Sequence, residues 1–265
     1  MSKSSGGGST TSAVGQSGRA RGNFSTTLGE ASVDRVATYK ESLKALRELP
    51  TVTFTKSSQH KQAKKALGLQ NISDSEFAGM FGAVDGSLIS VMPPRFETGQ
   101  WFVTIHNKFL SSPQRRTIEL DEDSNELFIS NSELRIKSEY QKNKLGALIL
   151  GKQVYFARKN KVSYIETYAA KGTDANGSYT WPVLGYDRLL NSKEKSEAEA
   201  SFGKVKTVQD ILDKPNGKAY WLANNRPGDM IFDLQKGSRN SNVLRRYIKN
   251  NVKVSNLNLL RSFKS

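Results

Sequence analysis

The sequence predicts a mixed α+β fold, and three observations carry that expectation. Between Gly86 and Tyr140, short runs of β-branched and aromatic residues alternate with turn residues. From Leu134 to Ala169, a strand-like run, an apolar helical run and a second strand-like run follow in the order of a parallel crossover. Upstream, Val33, Val36, Leu43 and Leu46 repeat at helical spacing until Pro50 ends the run.

The remaining elements follow in chain order. Residues 58–67 read as a short basic helix stopped at Gly68, in which His60, set among Lys61, Lys64 and Lys65, is expected to be exposed. Ser73 and Glu76 have capping-box spacing and start a helix over EFAGMF. Five consecutive strands are expected at 87–92, 101–107, 116–120, 126–131 and 134–140, punctuated by Pro93–Pro94, Ser112–Pro113 and the turn from Asp121 to Asn125. In the last of these, Leu134, Ile136 and Ser138 alternate with Arg135, Lys137 and Glu139, giving one wetter face. His106 is a candidate general base on a strand, although a hydrogen-bonded strand histidine is the commoner case. An apolar helix follows over 145–159, with Leu145, Leu148, Ile149, Val154 and Phe156, then a buried strand over 162–169.

In the last third, residues 191–204 read as a linker or an exposed helix, and Thr207 precedes a short helix stopped by Pro215. Ala219–Leu222 and Met230–Leu234 form apolar patches around the turn Asn225-Arg226-Pro227-Gly228. Trp221 and Phe232 beside Arg226 could stack on nucleobases; packing against the main domain is the commoner role of such aromatics. Residues 241–250 form a basic amphipathic helix. The organisation expected is a Gly/Ser-rich disordered tail (1–29), a helical N-terminal segment (30–85), a core (86–190) and a basic C-terminal extension (191–265).

Composition narrows the function. The 265 residues hold 40 Lys and Arg against 25 Asp and Glu, a net charge of +15 with a pI near 9.8. Lys3, Arg19 and Arg21 charge residues 1–29 without an acid. Lys236, Arg239, Arg245, Arg246, Lys249, Lys253, Arg261 and Lys264 do the same for residues 235–265. The excess is therefore concentrated at the ends. Cysteine is absent, which excludes disulfides, thiolate metal sites and cysteine nucleophiles, and two histidines make a multi-histidine metal centre an unpromising reading. No stretch approaches the ~18 apolar residues of a membrane span, and the N-terminus lacks the apolar core of a signal peptide. A soluble protein inside the cell, cytoplasmic or associated with a virion, is expected.

The chemistry concentrates at the junction Ser138-Glu139-Tyr140-Gln141-Lys142-Asn143-Lys144-Leu145-Gly146-Ala147. A helix start that follows a strand presents unpaired N–H groups and the positive end of the helix dipole, a combination suited to pyrophosphate. Lys142 and Lys144 add charge, and Gly146 permits close backbone approach.

This stretch resembles the acyl-CoA loop of the GNAT N-acyltransferases, Gln/Arg-x-x-Gly-x-Gly/Ala at a helix start. Gln141 takes the first place and Gly146 the last, while Lys144 stands where the family usually carries its first glycine. The order of the following helix, the strand and Leu184-Gly185-Tyr186-Asp187 is also similar to that family, and Gly177–Pro182 resembles GNAT-like domains of phage and mobile elements. The resemblance covers residues 86–190. It implies a mostly antiparallel sheet flanked by helices, acetyl-CoA or another acyl-CoA held by Gln141, Lys142, Asn143, Lys144, Leu145, Gly146 and Ala147, and an amine acceptor. The family's acid is a tyrosine four residues before the glycine of its Leu-Gly-Phe element; here that place is Trp181, and Tyr179 stands two residues earlier. For the general base, Glu126, Glu133 and Glu139 are candidates, none fixed by spacing, and Glu139 is the one carried forward. Tyr179 and Glu139 are thus the expected catalytic pair.

An expectation of a different class stands beside this one. A non-enzymatic basic protein would bind nucleic acid, as a virion or mobile-element component does, through Arg239, Arg245, Arg246 and Lys249. Its affinity would fall steeply with salt.

Overall fold

Seven strands form one open, mostly antiparallel sheet, and they come from across the chain in the order β1-β2-β3-β4-β5-β6-β9. The structure, a computed structural model, describes residues 49–95, 99–141, 144–172 and 175–252. The helical run expected over 31–48, the Gly/Ser-rich tail and residues 253–265 lie outside them. Strand β1 (Val52–Phe54) is followed by helices α1 (Ser57–Ala66) and α2 (Asp74–Gly79), then by β2 (Ser87–Met92), to which β1 is parallel. Ser73 caps α2 through a reciprocal bond with Glu76, as its spacing predicts. The strands β3 (Trp101–His106), β4 (Gln114–Asp121) and β5 (Glu126–Glu133) continue as an antiparallel meander.

Chain direction then changes meaning. A single turn, α3 (Ser138–Gln141), and the long helix α4 (Leu145–Lys159) carry the chain over the sheet to β6 (Val162–Ala169), parallel to β5. The small hairpin β7 (Lys171–Gly172) and β8 (Ala175–Asn176) leads into α5 (Gly177–Val183). Helices α6 (Ser192–Phe202), α7 (Val208–Leu212) and α8 (Gly217–Asn224) precede the edge strand β9 (Gly228–Asp233) and the last helix, α9 (Arg239–Asn251). Capping boxes at Asn191 and Thr207 start α6 and α7. No helix among the described residues is long and apolar enough to cross a membrane.

One face of the sheet is dry. Ile89, Val91, Val103, Ile105, Ile118, Ile129, Ile165, Met230 and Phe232 are buried there beneath α4 and its neighbours. Burying an aliphatic or aromatic side chain of this size stabilises by about 1.5–3 kcal/mol, so this layer is the main source of stability. The other face is wet: none of its residues on β2 to β6 or β9 is buried. That alternation is the period-2 signature of a half-covered antiparallel sheet.

Two local expectations fail. Residues 134–140 are not a strand; they leave the sheet, with Ile136 retained by a single bridge to Leu110. The backbone is clipped instead to the 109–111 loop, where Lys137 N–H donates to Phe109 O at 3.0 Å and Ser111 N–H to Arg135 O at 3.1 Å. His60, expected exposed, is 2% exposed. Its ring stacks on Phe54, centroids 4.0 Å apart, and its Nε2 meets Asp74 Oδ2 at 3.1 Å. An apolar wall and one carboxylate thus bury a residue that has Lys61, Lys64 and Lys65 close by in sequence.

Candidate functional site

The site begins with a fork in the sheet. β5 and β6 pair in parallel up to Asn131 opposite Thr167. Beyond that rung Glu133 pairs with Arg115 of β4, whereas Tyr168 and Ala169 pair with Asp229 and Gly228 of β9. Two strands that lie side by side therefore part while both still run on. A buried polar cluster braces the parting point. Thr167 Oγ1 donates to Asn131 O at 2.7 Å, and the Asn131 and Gln153 amides exchange two bonds of 3.0 Å. Asn131 Nδ2 also lies 3.1 Å from Tyr186 Oη. Burial pushes the Tyr186 phenol well above the usual tyrosine range, with Arg116 and Asn131 opposing, so it stays neutral.

Past the fork, between the segments that leave β5 and β6, lies a cavity of about 680 Å³, within the usual size of ligand pockets. One wall is Leu134, Arg135 and Ile136, followed by Gln141, Lys144, Gly146 and Ala147 at the start of α4. The facing wall is α5, through Gly177, Tyr179, Thr180, Trp181 and Val183, and Tyr247 of α9 joins it. Arg135 and Lys144 are the cations of the lining, and among the described residues no aspartate, glutamate or histidine lines it. A lining of two cations without a carboxylate, at the positive end of a 15-residue helix, suits an anion.

Local chemistry shapes each wall. Gln141 Nε2 donates to Ile136 O at 2.8 Å and folds the junction back on itself. Lys144 takes φ 58° and ψ 23°, the left-handed conformation, and makes no side-chain cap, so the first N–H groups of α4 lack that partner. A Cβ on Gly146 would meet Ile136 and Leu134 at 3.9 Å, ordinary contact that would fill the cavity side of the helix. On the other wall, Ser178 N–H donates to Ala170 O at 3.0 Å and its carbonyl accepts from Trp221 Nε1 at 2.9 Å. Trp221 and Phe232, at 1% and 0% exposure, are therefore packing residues.

Five residues expected at the site line the cavity together: Gln141, Lys144, Gly146, Ala147 and Tyr179. Leu145 points into the core, and Lys142 and Asn143 lie outside the described residues. Glu139 is exposed on α3 and is not among the lining residues; Glu126 is exposed at the opposite end of β5. His106 is exposed at the end of β3. Arg239 is held by Asp210 and Asp213, both at 2.8 Å, whereas Arg246 and Lys249 are exposed and Arg245 is half-buried. Reading the sequence missed Arg135 and Tyr247 as lining residues. For Arg135 the strand assignment hid the role, and for Tyr247 no local signal links α9 to α5. Among the described residues no three His, Asp or Glu side chains gather as a metal ion requires.

No protein-family model matches the chain, and no curated protein matches it.

Proposed function

We propose that the chain is an acyl-CoA-dependent N-acyltransferase of GNAT type, transferring an acyl group, acetyl in the simplest case, to an amine. The supporting observation is the cavity at the fork, with its cationic, carboxylate-free lining at the start of α4. Its donor set fits a diphosphate: Arg135 and Lys144 supply charge, and the first turn of α4 supplies N–H donors beside Gly146. The thioester of acyl-CoA supplies the activated acyl group.

The residues then divide the remaining work. Tyr179 holds a phenolic proton on the wall facing the anion-binding end, suited to a departing thiolate. The acceptor amine would enter neutral; as its nitrogen bonds to the acyl carbon and the C–S bond breaks, the proton it sheds would replace the one Tyr179 gives to the thiolate. Its rate then rises with pH along the amine's own titration rather than along an enzyme carboxylate. Leu134, Ile136 and Val183 exclude water from the middle of the cavity.

Titration calorimetry with acetyl-CoA tests this reading. Binding is expected in the micromolar range, weakened about tenfold by Lys144→Glu. No heat at millimolar acetyl-CoA would remove it.

A further inference from the structure

We infer that the C-terminal third carries a groove for the phosphate backbone of duplex nucleic acid, adjoining the cavity at Val183 and Tyr247 but independent of the acyl-CoA reading. Two depressions meet at Asp213. One, about 430 Å³, is lined by Lys204, Lys206, Lys214 and Arg239 with Asp210 and Asp213; the other, about 280 Å³, by Lys218 of α8 and Arg246 of α9. Both have Asp213 in their lining, so they form one trough past the outer end of α7.

The cations of this trough outnumber its acids. Carboxylates nearby are already engaged: Glu194 with Arg188, Glu197 with Arg226, Glu199 with Lys195, and Asp210 and Asp213 with Arg239. Two carboxylates on one guanidinium leave that cluster one negative charge, set against five further cations of the lining. Among the described residues no carboxylate pairs with Lys204, Lys206, Lys214, Lys218 or Arg246. Four of these are exposed and Lys214 is half-buried. Held apart by a folded scaffold, five unpaired cations along one trough match a linear array of phosphates. Lysines are point charges without a planar fork, so the trough reads backbone and not sequence. Its one aromatic, Tyr247, faces the acyl cavity as well, so base stacking contributes little.

Fluorescence anisotropy of the full chain with a labelled duplex DNA of about 25 base pairs provides the test. Neutralising five phosphates predicts a fall in affinity of about 10²–10³-fold between roughly 50 and 200 mM salt. The variant with Lys204, Lys206, Lys214, Lys218 and Arg246 each changed to Gln should lose that salt dependence and bind at least ~10²-fold more weakly at the lower salt. A control with Lys3, Arg19, Arg21, Lys253, Arg261 and Lys264 changed to Gln should keep most of the affinity. Thermal melts unchanged from wild type verify that both variants fold. The inference is overturned if the wild-type chain fails to bind duplex at the lower salt, or if the tail variant loses binding while the trough variant keeps it. Tighter binding of a single strand of equal length would also overturn it, because stacking would then outweigh phosphate density.

Discussion

At the scale of single residues, Lys144 is the most informative position. Its backbone is left-handed, a conformation that costs a side-chain-bearing residue roughly 1–2 kcal/mol. Replacement by glycine relieves that cost against about 0.5–1 kcal/mol of extra unfolded-state freedom. Lys144→Gly is therefore expected to raise stability by about 0.5 kcal/mol in urea melts while weakening acetyl-CoA binding. Gly185 gives the opposite result. Its φ is 110°, and a Cβ there would come 2.5 Å from Asn240 O. Gly185→Ala should destabilise by about 3–5 kcal/mol, read from the denaturant midpoint. That Leu-Gly-Tyr element was visible in the sequence, but its reason was not: α9 arrives from 55 residues away, Asn240 Nδ2 donating to Gly185 O.

Among the elements, α4 and the fork decide the site. Removing the Asn131 amide would leave Gln153 and the Tyr186 hydroxyl without their partner in the dry interior. Asn131→Ala should cost about 2–3 kcal/mol and loosen ligand binding, because the two cavity walls diverge from this point. Lys152, on the same helix, is 2% exposed, and burial pushes its ammonium down to about 8, with Asp85 opposing. The unfolded chain holds the same proton up to about pH 10.4. Between these values the unfolded state binds more protons, so stability rises with pH there. The burial penalty is full below about pH 8 and is relieved above it. Urea melts at about pH 8 and 9.5 should differ by about 2 kcal/mol for the wild-type chain, a rise that Lys152→Met lacks. The helix itself was legible from its apolar spacing. The strand expected over 134–140 was not real: its backbone bonds go to the 109–111 loop, and Leu134, Arg135 and Ile136 all line the cavity, so the alternation does not mark one face of a sheet. β9 escaped notice for a related reason: Met230 and Phe232 look like an apolar patch until β6 is known to lie beside them.

For the whole molecule, the sequence located charge only along the chain, whereas folding redistributes it in space. Ion pairs engage Arg188, Arg226 and Arg239, so among the described residues of the C-terminal third Lys204, Lys206, Lys214, Lys218 and Arg246 are cations without a carboxylate partner. The expected acyl transfer should show no ionisation of an enzyme base in its pH–rate profile, only that of the acceptor, a result checked with two amines of different basicity. The wet face of the sheet adds a last consequence. Among the described residues it carries Glu119, Asp121, Glu126, Glu166, Asp229 and Asp233 against Arg115, in a protein with fifteen excess positive charges. Burial raises the Glu119 carboxyl, the Gln100 amide partly opposes this, and Asp121 and Glu166 raise it further, a sign of how closely the acids crowd. Two copies meeting bare sheet to bare sheet would repel, so the broad uncovered surface resists stacking into aggregates.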